Sequence, residues 1–252
     1  MHSLLPESKQ LIERLESLSG RSVEFVRRDD LPVLATLQIA RDGATVHFLH
    51  YRPDKGPIDY LVCQQVGIVI RFFQLPDDER MDFSSDGRGA KVLVEMLSAS
   101  SNLSKNDKEM LPPFAKMLNE WALMQIRSIP VGMRVDAWLH ASFPALRELI
   151  AQGLAVQQQM NADILGKRVG NLAVPPIQLA PAAAYALFTD RLLGTSRYAI
   201  PFEAAGALSD GKSLVRLFDT IQDDPSHDRQ LADAWAQHLG MVGWYEWTRY
   251  KP

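Results

Sequence analysis

A single cysteine, Cys63, stands in a chain of 252 residues. No intrachain disulfide and no cysteine zinc cage can form, and this usage suits a reducing compartment. An excess of one charge is missing as well: 27 Lys and Arg stand against 30 Asp and Glu, for a net charge of −3. Without a global basic field there is little to drive binding to phosphate backbones, so nucleic acid is not an expected partner. Long apolar runs are absent too. The most apolar window, residues 60–73, falls short of the about 20 residues that a bilayer-spanning helix needs. The opening stretch carries Glu7, Lys9, Glu13, Arg14 and Glu16, where the core of a signal peptide would be uncharged. The expectation is a cytoplasmic protein with no membrane span. With 46% hydrophobic and 23% charged residues the composition is that of a globular protein, and disorder is excluded. The length fits one large domain or two modest ones.

Residues 1–18 read as an amphipathic helix. Residues 22–26, 33–39 and 44–51 are rich in β-branched and aromatic side chains, and the last two runs flank Arg41-Asp42-Gly43. Asp-Gly supplies the positive φ angles of a tight hairpin, so a small antiparallel sheet is predicted. Gly56-Pro57 then opens a helix in which Leu61, Val62, Val66, Val69, Ile70 and Phe73 share one side. Leu75-Pro76-Asp77-Asp78 ends it, and the polar stretches 84–89 and 98–108 predict loops. From Asp107 onward, helices are expected over 108–126, 145–160, 181–193, 211–221 and 226–239, with Pro and Gly between them. The predicted fold class is α+β: a small antiparallel sheet with a central buried helix, followed by a mostly helical C-terminal half. The expected parts are 1–126 and 127–252.

The order helix, strand, Asp-Gly hairpin, buried helix, with Gln64-Gln65-Val66-Gly67-Ile68 on the last of these, resembles the ImmA/IrrE-like zincin metallopeptidases over about residues 22–73. In that family this helix carries His-Glu-x-x-His, often His-Glu-x-Gly-His. Two imidazoles one turn apart hold zinc, and the Glu between them serves as general base. Only Gly67 of the motif is kept here. Gln64 offers a neutral amide in place of the first ligand, Ile68 cannot coordinate in place of the second, and Gln65 cannot take a proton from water. The resemblance therefore implies a non-catalytic member with no metal and no cofactor, whose cleft binds a peptide or protein segment in a binding or regulatory role.

At 100° per residue Tyr60, Gln64, Gly67, Ile68 and Arg71 lie opposite the apolar side. Tyr60, Gln64, Gln65, Ile68 and Arg71 are thus the candidate cleft residues, joined by Glu120 from the next long helix. Arg71 would repel a cation and attract a carboxylate there; exposure to solvent or pairing with an acid is the other reading. Two rivals stand beside this one. One is an enzyme whose site is assembled from separated residues such as His140, Glu120, Glu148 or Asp136, and the other is a purely structural interaction protein.

Several further patterns carry less. Gly206 to Ser213 matches the P-loop pattern G-x-x-x-x-G-K-[ST], yet Pro201-Phe202-Glu203-Ala204-Ala205 before it favours a helical turn, and 39 residues follow Ser213. A loop in which Asp210 or Ser209 caps the next helix is the expected structure. His47 and His50 lie three apart on a strand and face opposite sides, while His227 and His238 are about 16 Å apart along a helix. Cys63 reads as a buried, inert thiol. Ser226 reads as a helix N-cap, and the aromatic tail Trp244 to Tyr250 is expected to dock on its own domain.

Overall fold

The computed structural model describes residues 4–100, 104–166, 168–169 and 172–252. Two compact units emerge, each built from separate stretches. The first holds the described residues of Met1–Asp82 with Val131–Gln157 and Arg249–Pro252; the second holds those of Phe83–Pro130 and Gln158–Thr248.

In the first unit, helix α1 (Pro6–Ser19) buries Ser8, Leu11 and Leu15 and ends at Gly20, whose positive φ of 68° lets its N–H reach the Glu16 carbonyl. Strands β1 (Ser22–Arg27), β2 (Ala35–Gln38) and β3 (Val46–Tyr51) form a sheet in the order β1-β3-β2. The hairpin is as expected: β2 and β3 are antiparallel, and Asp42 and Gly43 have φ of 52° and 80°. Strand β1, however, crosses to the far side of β3 and pairs parallel to it, with Val23 opposite His47 and Phe25 opposite Leu49.

Helix α2 (Ile58–Gln74) packs on α1, β2 and β3 and is the core of this unit. Asp59 in its first turn accepts the Leu5 N–H at 2.7 Å and the Ser8 hydroxyl at 2.6 Å, which ties the starts of the two helices together. The chain's last residues close the unit. Tyr250 sits edge-on to Phe72 and Phe73, its hydroxyl donates to the Ala40 carbonyl, and Arg21 donates to it in turn at 3.0 Å.

Helix α4 (Lys105–Ser142) is much longer than the helix expected over 108–126, and it runs through Pro112, Pro113 and Pro130. An interior proline costs a helix about 3 kcal/mol. Burial on both sides of Pro130 opposes that cost, since Ile126, Met133 and Val135 are all fully buried. After it come α5 (Arg147–Asp163) and, in the second unit, α6 (Pro176–Leu193), α7 (Ile200–Ala204), α8 (Leu208–Thr220) and α9 (Asp228–His238). The C-terminal half is helical as expected, and the class is α+β.

Two expectations fail locally. Helix α3 (Arg88–Ser100) fills the whole gap between the two predicted loops and takes in the end of the first and the start of the second. Of the loop expected over 98–108, residues 101–103 lie outside the described residues, and Lys105 already belongs to α4. Short strands also occur where none were read: β4 (Met81–Ser84) pairs with β7 (Glu246–Arg249), and β5 (Arg168–Val169) with β6 (Leu172–Ala173).

In the second unit α6 meets α8 closely, because Gly211 presents no Cβ to Ala183; a Cβ there would lie 2.9 Å from the alanine methyl. Buried Asp190 gathers the loop after α6, accepting from the Thr195 hydroxyl and from the N–H groups of Arg197, Tyr198 and Ala199. The aromatic tail does dock. Tyr245 stacks on Phe83 with centroids 4.4 Å apart, and Asp233 accepts from both the Tyr245 hydroxyl (2.6 Å) and the Trp247 indole (2.8 Å).

Candidate functional site

The face of α2 that the zincin resemblance marks as a cleft is occupied within the first unit. Tyr60 is 2% exposed, and its hydroxyl donates to Asp136 of α4 at 3.0 Å. A Cβ on Gly153 of α5 would fall 2.0 Å from a carbon of its ring. Gly67 faces Val135 and Trp138 of α4, where a Cβ would approach Val135 to 2.6 Å. One turn earlier, the Gln64 amide lies 3.6 Å from where a Cβ on Gly132 would be. The two glutamines form a short relay: the Gln65 amide donates to Gln64 at 2.8 Å, while its carbonyl oxygen accepts the Leu37 N–H of β2 at 3.2 Å. Ile68 is half-buried, and Arg71, also half-buried, is engaged rather than free.

Glu120 belongs to the second unit and lies near Lys116 one turn away, at 3.9 Å with both side chains exposed. Two residues of the alternative enzyme reading make local bonds: Asp136 holds Tyr60, and Glu148 accepts from Gln152. Among the described residues no group of three His, Cys, Asp or Glu side chains could hold a metal ion. No helix among them is long and apolar enough to cross a membrane.

The remaining patterns resolve as structural features. Gly206, with φ of 75°, follows the short helix α7, and Lys212 and Ser213 lie inside α8, so no strand leads into the P-loop-like sequence. Neither Asp210 nor Ser209 caps α8. Its N-cap is Ala207, without a side-chain bond, and Asp210 instead pairs with His238 at 3.1 Å. Ser226 is likewise not a cap: Asp224 caps the turn before α9, accepting the Ser226 N–H at 2.9 Å. His47 is buried on the core face of β3 and His50 is half-buried on the other, as the spacing predicts. Cys63 lies 3.3 Å from the Ser8 hydroxyl, and burial pushes its thiol up to about 11, which leaves it protonated and inert.

One feature that sequence pattern did not single out is the outer edge of β1. The Ser22 N–H donates to Thr45 and the Arg28 N–H to Tyr51, which turns the even-numbered residues of β1 toward β3. Peptide groups alternate along a strand, so those of Val23, Phe25 and Arg27 point to the free edge. Glu16 of α1 takes the Val23 N–H at 2.8 Å. The N–H groups of Phe25 and Arg27 have no protein partner among the described residues. Phe25 is 39% exposed and lies edge-on to Tyr51, with centroids 6.3 Å apart. Beyond the strand, Arg27 pairs with Asp29 and Arg28 with Asp30; the Arg28 hydrogen bond pulls the Asp30 carboxyl down to about 2. The opposite edge differs, because Gln65 covers the middle of β2. The signal that could have located this edge is the run Arg27-Arg28-Asp29-Asp30, which lacks the Asn-Gly or Asp-Gly turn needed to fold β1 back as a hairpin.

No protein-family model matches the chain, and no curated protein or solved structure gives a significant match to it.

Proposed function

We propose that the protein is a non-catalytic binding or regulatory protein of the cytoplasm. On this reading it is a zincin-like unit emptied of zinc chemistry, and it takes an extended segment of a partner protein as a fourth strand beside β1. The observation that carries the reading is the free edge of β1, where two outward peptide N–H groups flank an exposed aromatic ring. Main-chain hydrogen bonds would supply affinity, and an apolar side chain laid against Phe25 would supply selectivity. The fate of Gln64 and Gln65 supports placing recognition there rather than on α2, since their amides are spent on each other and on β2.

The test uses peptides selected on the purified chain from a random library. Arg27→Pro removes an outward N–H without touching a β3 bond, and edge strands tolerate proline. Selected peptides should protect the Phe25 and Arg27 amides from hydrogen exchange and should lose binding to Arg27→Pro. Peptides that bind the variant equally well, or protect other amides, would overturn the site. Stoichiometric zinc together with peptide cleavage would overturn the non-catalytic assignment.

A further inference from the structure

Helix α4 within the second unit exposes three large apolar side chains at seven-residue spacing: Met110, Met117 and Met124 are 48%, 45% and 41% exposed. Seven residues are nearly two turns, so the three form one stripe along the helix. Isolated surface methionines need no explanation, but three in register make a continuous apolar seam of a soft, adaptable kind. A second stripe runs about 80° around the same exposed face. It is made of Glu109, Lys116, Glu120 and Arg127, all exposed.

The signs along this second stripe alternate in a particular way. Glu109 and Arg127 are equally distant in sequence from Leu118, as are Lys116 and Glu120, and in each pair the signs are opposite. A two-fold axis that places a second helix antiparallel to the first, centred at Leu118, therefore sets Glu109 against Arg127 of the other copy and Lys116 against its Glu120. Four opposite-charge pairs result. Such an axis keeps both charged stripes on the same side of the seam, while the methionines of the two helices fall about 3 Å out of level and interdigitate. Parallel pairing about an axis along the helices would instead place the two charged stripes on opposite sides of the seam, where none of these complementary pairs forms. The intrachain Lys116–Glu120 pair, 3.9 Å apart and exposed, offers little resistance to this exchange, and Arg127, already engaged within its own chain, has five N–H donors with which to meet the other copy's Glu109 as well.

We propose that this face of α4 is a self-association surface that joins a second copy of the chain as an antiparallel, two-fold pair. The seam between Glu109 and Arg127 is about 27 Å long. One helix pair of that length buries less than the about 800 Å² per partner of a standard interface, so the dimer is weak and concentration-dependent, and its charge pairs make it salt-sensitive.

Analytical ultracentrifugation of the full chain from micromolar to near-millimolar concentration tests this. A reversible monomer–dimer equilibrium is expected, and Met117→Lys should weaken it by at least about tenfold. Glu120→Lys alone, or Lys116→Glu alone, sets like charges across the axis and should weaken it also. Mixing these two variants restores complementarity in the heterodimer, so the mixture should associate more tightly than either alone. All three substitutions are on exposed positions, and circular dichroism will verify that the fold persists. A chain that stays monomeric throughout, a dimer indifferent to Met117→Lys, or charge variants whose mixture shows no rescue would each overturn the proposal.

Discussion

His47 is fully buried on β3, and its Nδ1 accepts the Ala40 N–H at 3.0 Å, which leaves Nε2 as the protonated nitrogen of a neutral ring tilted against Phe73. Burial, with a smaller push from Arg21, lowers its pKa from 6.5 to about 4. The unfolded chain takes up a proton below about pH 6.5, and the folded chain does not until about pH 4. The contribution is therefore intact above pH 6.5, shrinks as the pH falls through that window, and is exhausted near pH 4, with a ceiling of roughly 3 kcal/mol. Urea unfolding across this range should show the loss, and His47→Phe should flatten that part of the profile even though it forfeits the Ala40 bond. An unchanged slope in the variant would assign the acid sensitivity to other groups. Gln65 permits a second test at the same scale. Gln65→Leu preserves bulk but strands the Leu37 N–H, and should cost about 1–3 kcal/mol in chemical denaturation. A neutral result would mean that water replaces the amide and that the β2 edge is open after all.

At the scale of elements, the legible parts are those in which local chemistry decides. Asp42-Gly43 requires positive φ, and the apolar side of α2 follows from its period, so the hairpin and the central helix were readable in the sequence. The extent of α4 was not, because the expected helix ends at Ile126 and Pro130 reads as a stop, which only tertiary burial of Ile126, Met133 and Val135 overrides. The parallel placement of β1 was hidden for a related reason: its partners in β3 are set by register, and no local residue encodes them. The covering of α2 depends on glycines whose meaning appears only in three dimensions. Gly153 leaves room for the Tyr60 ring, so Gly153→Ala should destabilise by about 1–3 kcal/mol. The cost should fall sharply in a Tyr60→Leu background, where the smaller side chain makes space. Additive effects in that double-mutant cycle would show that the close approach of α5 to Tyr60 does not govern stability.

For the molecule as a whole, the distribution of chain between the two units decides what can fold alone. The first unit draws Val131–Gln157 and Arg249–Pro252 from far along the sequence. A fragment of residues 1–126 would lack the Val135 and Trp138 cover on Gly67, the Asp136 partner of the Tyr60 hydroxyl, and the Tyr250 ring against Phe72 and Phe73. Each large apolar side chain left exposed forfeits about 1.5–3 kcal/mol. Native domains hold only about 5–15 kcal/mol in all, so losing several such contacts together exceeds what the fragment can bear. The amino-acid pattern could not reveal this, since the expected parts, 1–126 and 127–252, are continuous stretches, whereas the first unit is gathered from three separate ones. Expressed alone, residues 1–126 should show no cooperative thermal transition and should be digested rapidly under limited proteolysis. Supplying residues 127–252 in trans should restore protection, because the missing cover lies there. A cooperative melt and dispersed amide spectrum from the isolated fragment would mean that α1, α2 and the three-stranded sheet suffice for a fold, and that α4, α5 and Tyr250 are additions to a unit that is already stable.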